Sequence, residues 1–149
     1  MIGREIKEYN DVFFMCSLID YIARKIKSHR STVANSIGKN ELNRIFELAE
    51  VYHSENIDKI SDELIEKFAI PSDNFPTESK YAIPSHWDIG KVYKRLAINI
   101  AEHEQIDFIS AILKVYNSPI SEKIENFNSS LYYENPSYIF ACYQEGKVL

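Results

Sequence analysis

Apolar residues recur along the chain at intervals of three and four positions, the spacing of one face of an α-helix. The clearest case is 12–26, where six apolar side chains fall on one face of a long predicted helix. Further stretches repeat the spacing, at residues 42–52, 57–68, 89–100, 106–116, 120–127 and 139–143. No useful run alternates between apolar and polar residues, and the sequence has no Asn-Gly or Asp-Gly hairpin turn. The pattern predicts an all-α protein, a compact bundle of about seven helices.

Turn and capping residues divide these stretches. Asn56 and Asp88 each precede an apolar stripe and are predicted N-caps. Ser118-Pro119 and Asn135-Pro136 each pair a capping side chain with a proline suited to the first helical position. Gly146 is then the predicted end of the last helix.

A proline-containing loop separates two helical halves. Residues 71–85 include three prolines and several turn formers, which exclude one continuous helix. We therefore expect one helical domain, 1–149, with subdomains 1–70 and 86–149 joined by this linker. A chain of 149 residues buries enough surface to fold without a metal or disulfide, so no cofactor is expected.

Charge and cysteine content narrow the function classes. The net charge of −5 argues against a protein that simply coats nucleic acid. Two cysteines without a C-x-x-C pair are typical of a reducing compartment, and the N-terminus lacks the apolar run of a signal peptide. With no membrane-length apolar stretch either, the sequence predicts a cytoplasmic protein that does not engage membranes.

Aromatic residues are abundant, with ten Tyr and eight Phe, and are dense near the C-terminus. Tyr and Trp provide large contact areas at low entropic cost, as partner surfaces require. Tyr132, Tyr133 and Tyr138, together with the single Trp87, are therefore predicted to bind a protein partner. For Trp87 the alternative is a hydrophobic staple at a helix start.

A basic segment at 20–39 offers a different function. The end of the long first helix and the short stretch after it resemble a helix-turn-helix, in which polar side chains of the second helix contact phosphates or base edges. The residues that would contact nucleic acid are Arg24, Lys27, Arg30, Thr32 and Asn35. A solvated basic face beside a tight bend explains the same pattern.

Arg24 and His29 supply a third alternative. Their Arg-x4-His spacing resembles the active motif of the HEPN family, small all-α proteins that include RNA-cleaving toxins. The resemblance implies that Arg24 stabilises a phosphate while His29 acts as an acid or base. In that family the motif usually lies on a late helix, whereas here it closes the first long helix.

The first 60 to 70 residues also resemble a bacterial family of short helical domains of unknown function. The matching features are Phe14 and Cys16 in an early apolar stretch, the segment 21–23, and 49–53 followed by an Ile-rich helix. Members often lie beside genes for ADP-ribosyltransferase-like proteins, which suggests toxin–antitoxin pairs or mobile elements. The resemblance implies no catalytic or metal-binding residues.

These observations favour a non-catalytic regulatory protein that binds another protein in a bacterial toxin–antitoxin or mobile-element module. Homodimerisation is compatible with each alternative, because a long apolar first helix often pairs with a copy of itself.

Overall fold

The structure is a computed structural model, and it describes the backbone of residues 2–80, 82–128 and 131–149 and their side chains from Lys7 onward. These residues form nine α-helices, one 3₁₀ turn and no strand. The α-helices are α1 (Ile2–Ile26), α2 (Arg30–Ile37), α3 (Lys39–Glu47), α4 (Ala49–His53), α5 (Ile57–Phe68), α6 (His86–Glu104), α7 (Phe108–Tyr116), α8 (Ser121–Glu125) and α9 (Pro136–Glu145); the 3₁₀ turn is Leu131–Tyr133. The predicted helical class is confirmed, with nine helices rather than about seven.

The local capping signals are confirmed at two helices. The Asn56 side chain accepts hydrogen bonds from the amides of Asp58 and Lys59 at the start of α5. Asn135 caps α9, Pro136 takes its first position, and Gly146 ends it with a φ of 73°.

Three predicted boundaries are wrong. Helix α6 begins at His86, because Ser85 is its N-cap and Asp88 closes a capping box three residues later. Helix α8 begins at Ser121 after a turn, so Ser118-Pro119 is not a cap and first helical residue. The stripe over 42–52 is two helices, since Leu48 leaves the helical conformation with a φ of −102° and a ψ of 16°.

Helices α1 and α6 pack antiparallel along the centre of the molecule. At one end the Tyr9 hydroxyl donates to Glu102, and at the other the rings of Tyr21 and His86 meet edge-on at 4.9 Å. Gly90 makes this closeness feasible, because a Cβ there would lie 2.2 Å from the Ser17 hydroxyl oxygen. The cost of a glycine in a helix therefore has a packing reason.

The central pair carries the apolar core and joins the two halves of the sequence. Helix α7 packs on α6, and α2 packs against both α1 and α7. The largest fully buried apolar side chains come from both halves: Tyr93, Tyr116, Phe127, Met15, Leu18, Ile19, Ile22, Leu42, Ile60, Ile89 and Leu96.

The segment after α5 crosses the turn between α1 and α2. Lys27 holds a left-handed φ of 56° there, and its carbonyl accepts a 2.8 Å hydrogen bond from the amide of Phe75. The Ser28 hydroxyl donates to the Pro71 carbonyl at 2.5 Å. Residues 71–77 are thereby held over the turn in the middle of the predicted nucleic-acid segment 20–39.

Candidate functional site: a tyrosine-lined groove

A groove with a volume of about 370 Å³ lies between α6, the 3₁₀ turn and the first turn of α9. It is lined by Asp88, Lys91, Val92, Arg95, Leu96, Tyr132, Tyr133, Glu134, Pro136 and Ile139. The α6 residues span 88–96, a length of about 12 Å at 1.5 Å per residue. We call this feature the tyrosine groove.

Aromatic rings in edge-to-face contact build one wall of the groove. The buried Phe127 ring meets the Tyr132 ring edge-on at 5.6 Å, and Tyr132 meets Tyr133 in the same manner at 4.9 Å. Exposure rises along this series, and Tyr133 is 61% exposed. Leu96 and Ile139 are buried beneath the groove. The tyrosine groove therefore has an apolar floor and an aromatic rim anchored to the core.

Four hydrogen-bond donors of the groove have no partner among the described side chains. They are the ammonium group of Lys91, the guanidinium group of Arg95, and the hydroxyls of Tyr132 and Tyr133. Burial, followed by the charge of Asp88, raises the pKa of Tyr132, so this hydroxyl stays protonated near neutral pH.

The two carboxylates of the groove differ in their engagement. Asp88 accepts a hydrogen bond from the amide of Ser85 at 3.3 Å within the capping box of α6. It also lies in the first turn of α6, where the helix dipole offsets negative charge. Glu134 is exposed and has no partner among the described side chains. Of the two carboxylates, Glu134 is therefore the one that remains available to a binding partner.

Two of the four predicted partner-binding residues line the tyrosine groove. Tyr132 and Tyr133 line the tyrosine groove, while Trp87 and Tyr138 lie outside it. The half-buried Trp87 ring packs 5.5 Å from Phe13 of α1 and 4.7 Å from His86. The Tyr138 hydroxyl donates to the carbonyl of Leu149.

Most of the predicted nucleic-acid residues are engaged by other residues of the chain. Arg30 is buried at 1% exposure, and its Nε donates to Asp20 at 2.6 Å. Arg24 donates to the other carboxylate oxygen of Asp20, also at 2.6 Å. Thr32 donates to Asp73 at 2.7 Å.

Asn35 is occupied as well. Its side-chain amide exchanges two hydrogen bonds with that of Asn117, at 2.8 and 3.0 Å. Lys27 alone of the five is exposed with no side-chain partner in the described part of the chain. Four of the five residues are thus held by the fold rather than presented together.

His29 lies among acidic groups. Its Nδ1 is 2.8 Å from Asp73 and its Nε2 is 3.0 Å from Glu122, while its ring stacks on Phe75 at 3.9 Å. Hydrogen bonds from Thr32 and His29 lower the pKa of Asp73 against the opposing effect of its burial, so this neighbour stays ionised at neutral pH. Two carboxylates repel a phosphate from the imidazole.

A buried polar network includes Tyr93 of α6, and it joins Arg30, predicted as a nucleic-acid contact, to four residues for which the sequence predicted no role at a site. Arg30 bridges Asp20 and Glu125, with its Nε 3.6 Å from a Glu125 oxygen. The other Glu125 oxygen accepts 2.6 Å hydrogen bonds from the hydroxyls of Tyr93 and Ser121. Burial raises the pKa of Glu125, although Arg30 opposes this. We name these five residues the buried network.

The two cysteines pack in the interior. Burial raises the pKa of the Cys16 thiol to about 12, which keeps it protonated and unreactive. Cys142 is also buried, and both thiols are free.

The described residues hold neither a candidate metal-binding set nor a helix that could span a membrane. Within residues 2–80, 82–128 and 131–149, no three His, Cys, Asp or Glu side chains gather as a metal-binding set. None of the helices in that part of the chain is both long and apolar enough to cross a bilayer.

Comparison of the chain with models of protein families, with curated proteins and with solved structures found no match. The resemblance to short bacterial helical domains stays a prediction.

Proposed function

We propose that the protein is a non-catalytic binding protein that holds a segment of another protein in the tyrosine groove. The observation that carries this proposal is the exposed Tyr133 ring, which ends a series of edge-to-face aromatic contacts running from the core to the rim of an open groove. Tyrosine at such a position gives a large contact area with few rotatable bonds to immobilise.

The shape of the groove favours a protein segment over a small molecule. Its α6 wall extends over two helical turns, and its rim is solvent-exposed at Lys91, Arg95 and Tyr133. Small-molecule sites usually enclose most of the ligand surface. An open groove with an apolar floor instead suits one or two side chains projecting from a partner.

The bacterial toxin–antitoxin or mobile-element setting belongs to the same proposal. Identification of a co-encoded toxin as the partner would support this setting. An unrelated partner would contradict it. No second function is proposed for the basic segment, because four of its five candidate residues have intramolecular partners.

Position-specific photo-crosslinking in the source cell tests the proposal. A benzoylphenylalanine replaces Tyr133 in one variant and Val51 of α4 in a control, since these side chains are similarly exposed at 61% and 56%. We expect a discrete protein adduct from position 133 alone, weakened by Tyr132→Ala. The same adduct from both positions, or none from position 133, would contradict the proposal.

A further inference from the structure

We propose that the partner segment is acidic, with carboxylates flanking an apolar side chain; this inference rests on the proposed function. Lys91 and Arg95 lie one helical turn apart on α6 and both line the tyrosine groove. Neither forms an ion pair with any described side chain, and the hydroxyls of Tyr132 and Tyr133 are adjacent unpartnered donors. A carboxylate accepts from donors of this kind in short, charge-assisted hydrogen bonds.

The two cations carry a small cost in the free protein. Like charges four residues apart on a helix destabilise it by about 0.2–0.5 kcal/mol. The chain as a whole has 22 acidic and 17 basic residues, so acidic side chains are plentiful, yet none of those described pairs with Lys91 or Arg95. A bound carboxylate would relieve this repulsion.

The groove is lined by two cations and two carboxylates, and it is the surroundings of the carboxylates that favour an acidic segment over a basic one. Glu134 opposes the two cations, but Asp88 is already engaged by the amide of Ser85 and by its place in the first turn of α6. A basic segment would meet Lys91 and Arg95 with like charge. An apolar side chain on Val92 and Leu96 places a neighbouring carboxylate within one helical turn of both cations.

Selection from displayed random peptides tests the inference with an unbiased probe. The wild-type protein is the bait, and a Tyr133→Ala variant removes peptides that bind elsewhere. We expect the retained peptides to combine an aromatic or aliphatic residue with an excess of Asp and Glu. A retained set without that excess would overturn the inference, and yet it would leave the proposed function standing.

Affinity measurements separate the two ideas further. A synthetic copy of a retained peptide is titrated against wild type, a Lys91→Gln/Arg95→Gln variant, and a control Lys27→Gln/Lys59→Gln variant with the same net charge. We expect the groove variant to bind about tenfold more weakly, as loss of a charge-assisted contact implies, and the difference to shrink with added salt. The control should match wild type.

Equal binding by both variants and wild type would overturn the acidic-partner inference. Failure to retain any peptide that prefers wild type over Tyr133→Ala would overturn the proposed function as well. Retention of peptides that bind all charge variants equally and lose affinity only in Tyr133→Ala would support an apolar partner segment instead.

Discussion

The buried network and the tyrosine groove are both polar clusters at α6. They differ in whether their polar groups have partners within the protein. In the buried network, Arg30 reaches two carboxylates and Glu125 accepts from two hydroxyls. In the tyrosine groove, Lys91, Arg95 and two tyrosine hydroxyls have no partner among the described side chains. Burial accounts for the contrast, because an unpaired polar group is costly only where water cannot reach it.

The comparison indicates which cluster serves the fold and which serves binding. Buried charges that are paired with each other help to specify how helices pack, and they have few hydrogen-bonding positions left for a ligand. Exposed hydrogen-bond donors beside an apolar floor remain free to bind a ligand or a partner protein. Variants of the two clusters should therefore differ in what they damage.

Arg30→Met should have the largest effect on stability. It leaves the buried Glu125 without its cation, while Asp20 keeps only Arg24; breaking a buried ion pair in this way typically costs about 3–5 kcal/mol. Urea unfolding measures the change, and the exposed neighbour Lys27→Met serves as the control, within about 0.5 kcal/mol of wild type. A loss below about 1 kcal/mol for Arg30→Met would show that the network is dispensable.

Gly90→Ala should be next in size. The new Cβ would lie 2.2 Å from the Ser17 hydroxyl oxygen and 3.1 Å from the Ser17 Cα. Relieving this overlap requires α1 and α6 to separate, at a cost of about 1–3 kcal/mol. Thermal or urea unfolding of Gly90→Ala, Ser17→Gly and the double variant measures the coupling; strictly additive losses would contradict a direct contact.

Glu125→Gln should change how stability depends on pH. Burial raises the pKa of Glu125 in the folded protein above its unfolded value of about 4.3. Between these two values the folded state holds the proton more tightly, so wild-type stability falls as pH rises through this window. Glu125→Gln removes that contribution, so the slope of unfolding free energy against pH in this window should be less negative for the variant than for wild type. Identical slopes would mean that the Glu125 pKa is the same in both states.

Adjacent tyrosines of the groove should give the smallest and most instructive contrast. Tyr133→Ala removes an exposed ring and should leave unfolding free energy within about 0.5 kcal/mol of wild type. Tyr132→Ala removes a half-buried ring packed on Phe127 and should cost about 1–3 kcal/mol. Tyr132→Phe keeps the packing and isolates the hydroxyl. Equal stability of the two alanine variants would contradict the distinction between Tyr132 as a packed wall residue and Tyr133 as an exposed rim residue.

Local signals in the sequence predicted the helices well where one or two residues decide the outcome. Asn56, Asn135-Pro136 and Gly146 act on neighbouring backbone groups, so their roles follow from the sequence alone. At α6 the local signal is a capping box, in which Ser85 is the cap and Asp88 follows three residues later, so the prediction of Asp88 as the cap is wrong although the helix start is close to it.

Roles that depend on distant residues could not be predicted. From the sequence, Arg30 belongs to a basic surface. In the structure it is buried against Asp20 and Glu125, which are ten and 95 positions away along the chain. From the sequence, Lys91 and Arg95 are ordinary exposed helix residues. In the structure the 3₁₀ turn and α9 pack beside them and form the tyrosine groove. Only Tyr132 and Tyr133 were predicted there, because aromatic density is visible without tertiary structure.

The most direct test of the binding claim is chemical-shift mapping of the isotope-labelled protein during titration with a selected acidic peptide. We expect saturable shifts concentrated at residues 88–96 and 131–139, with the amides of Asp20, Arg30 and Glu125 almost unchanged. Saturable shifts centred instead on the α1–α2 turn, or no saturable shifts in the groove, would contradict the claim that the tyrosine groove is the binding site.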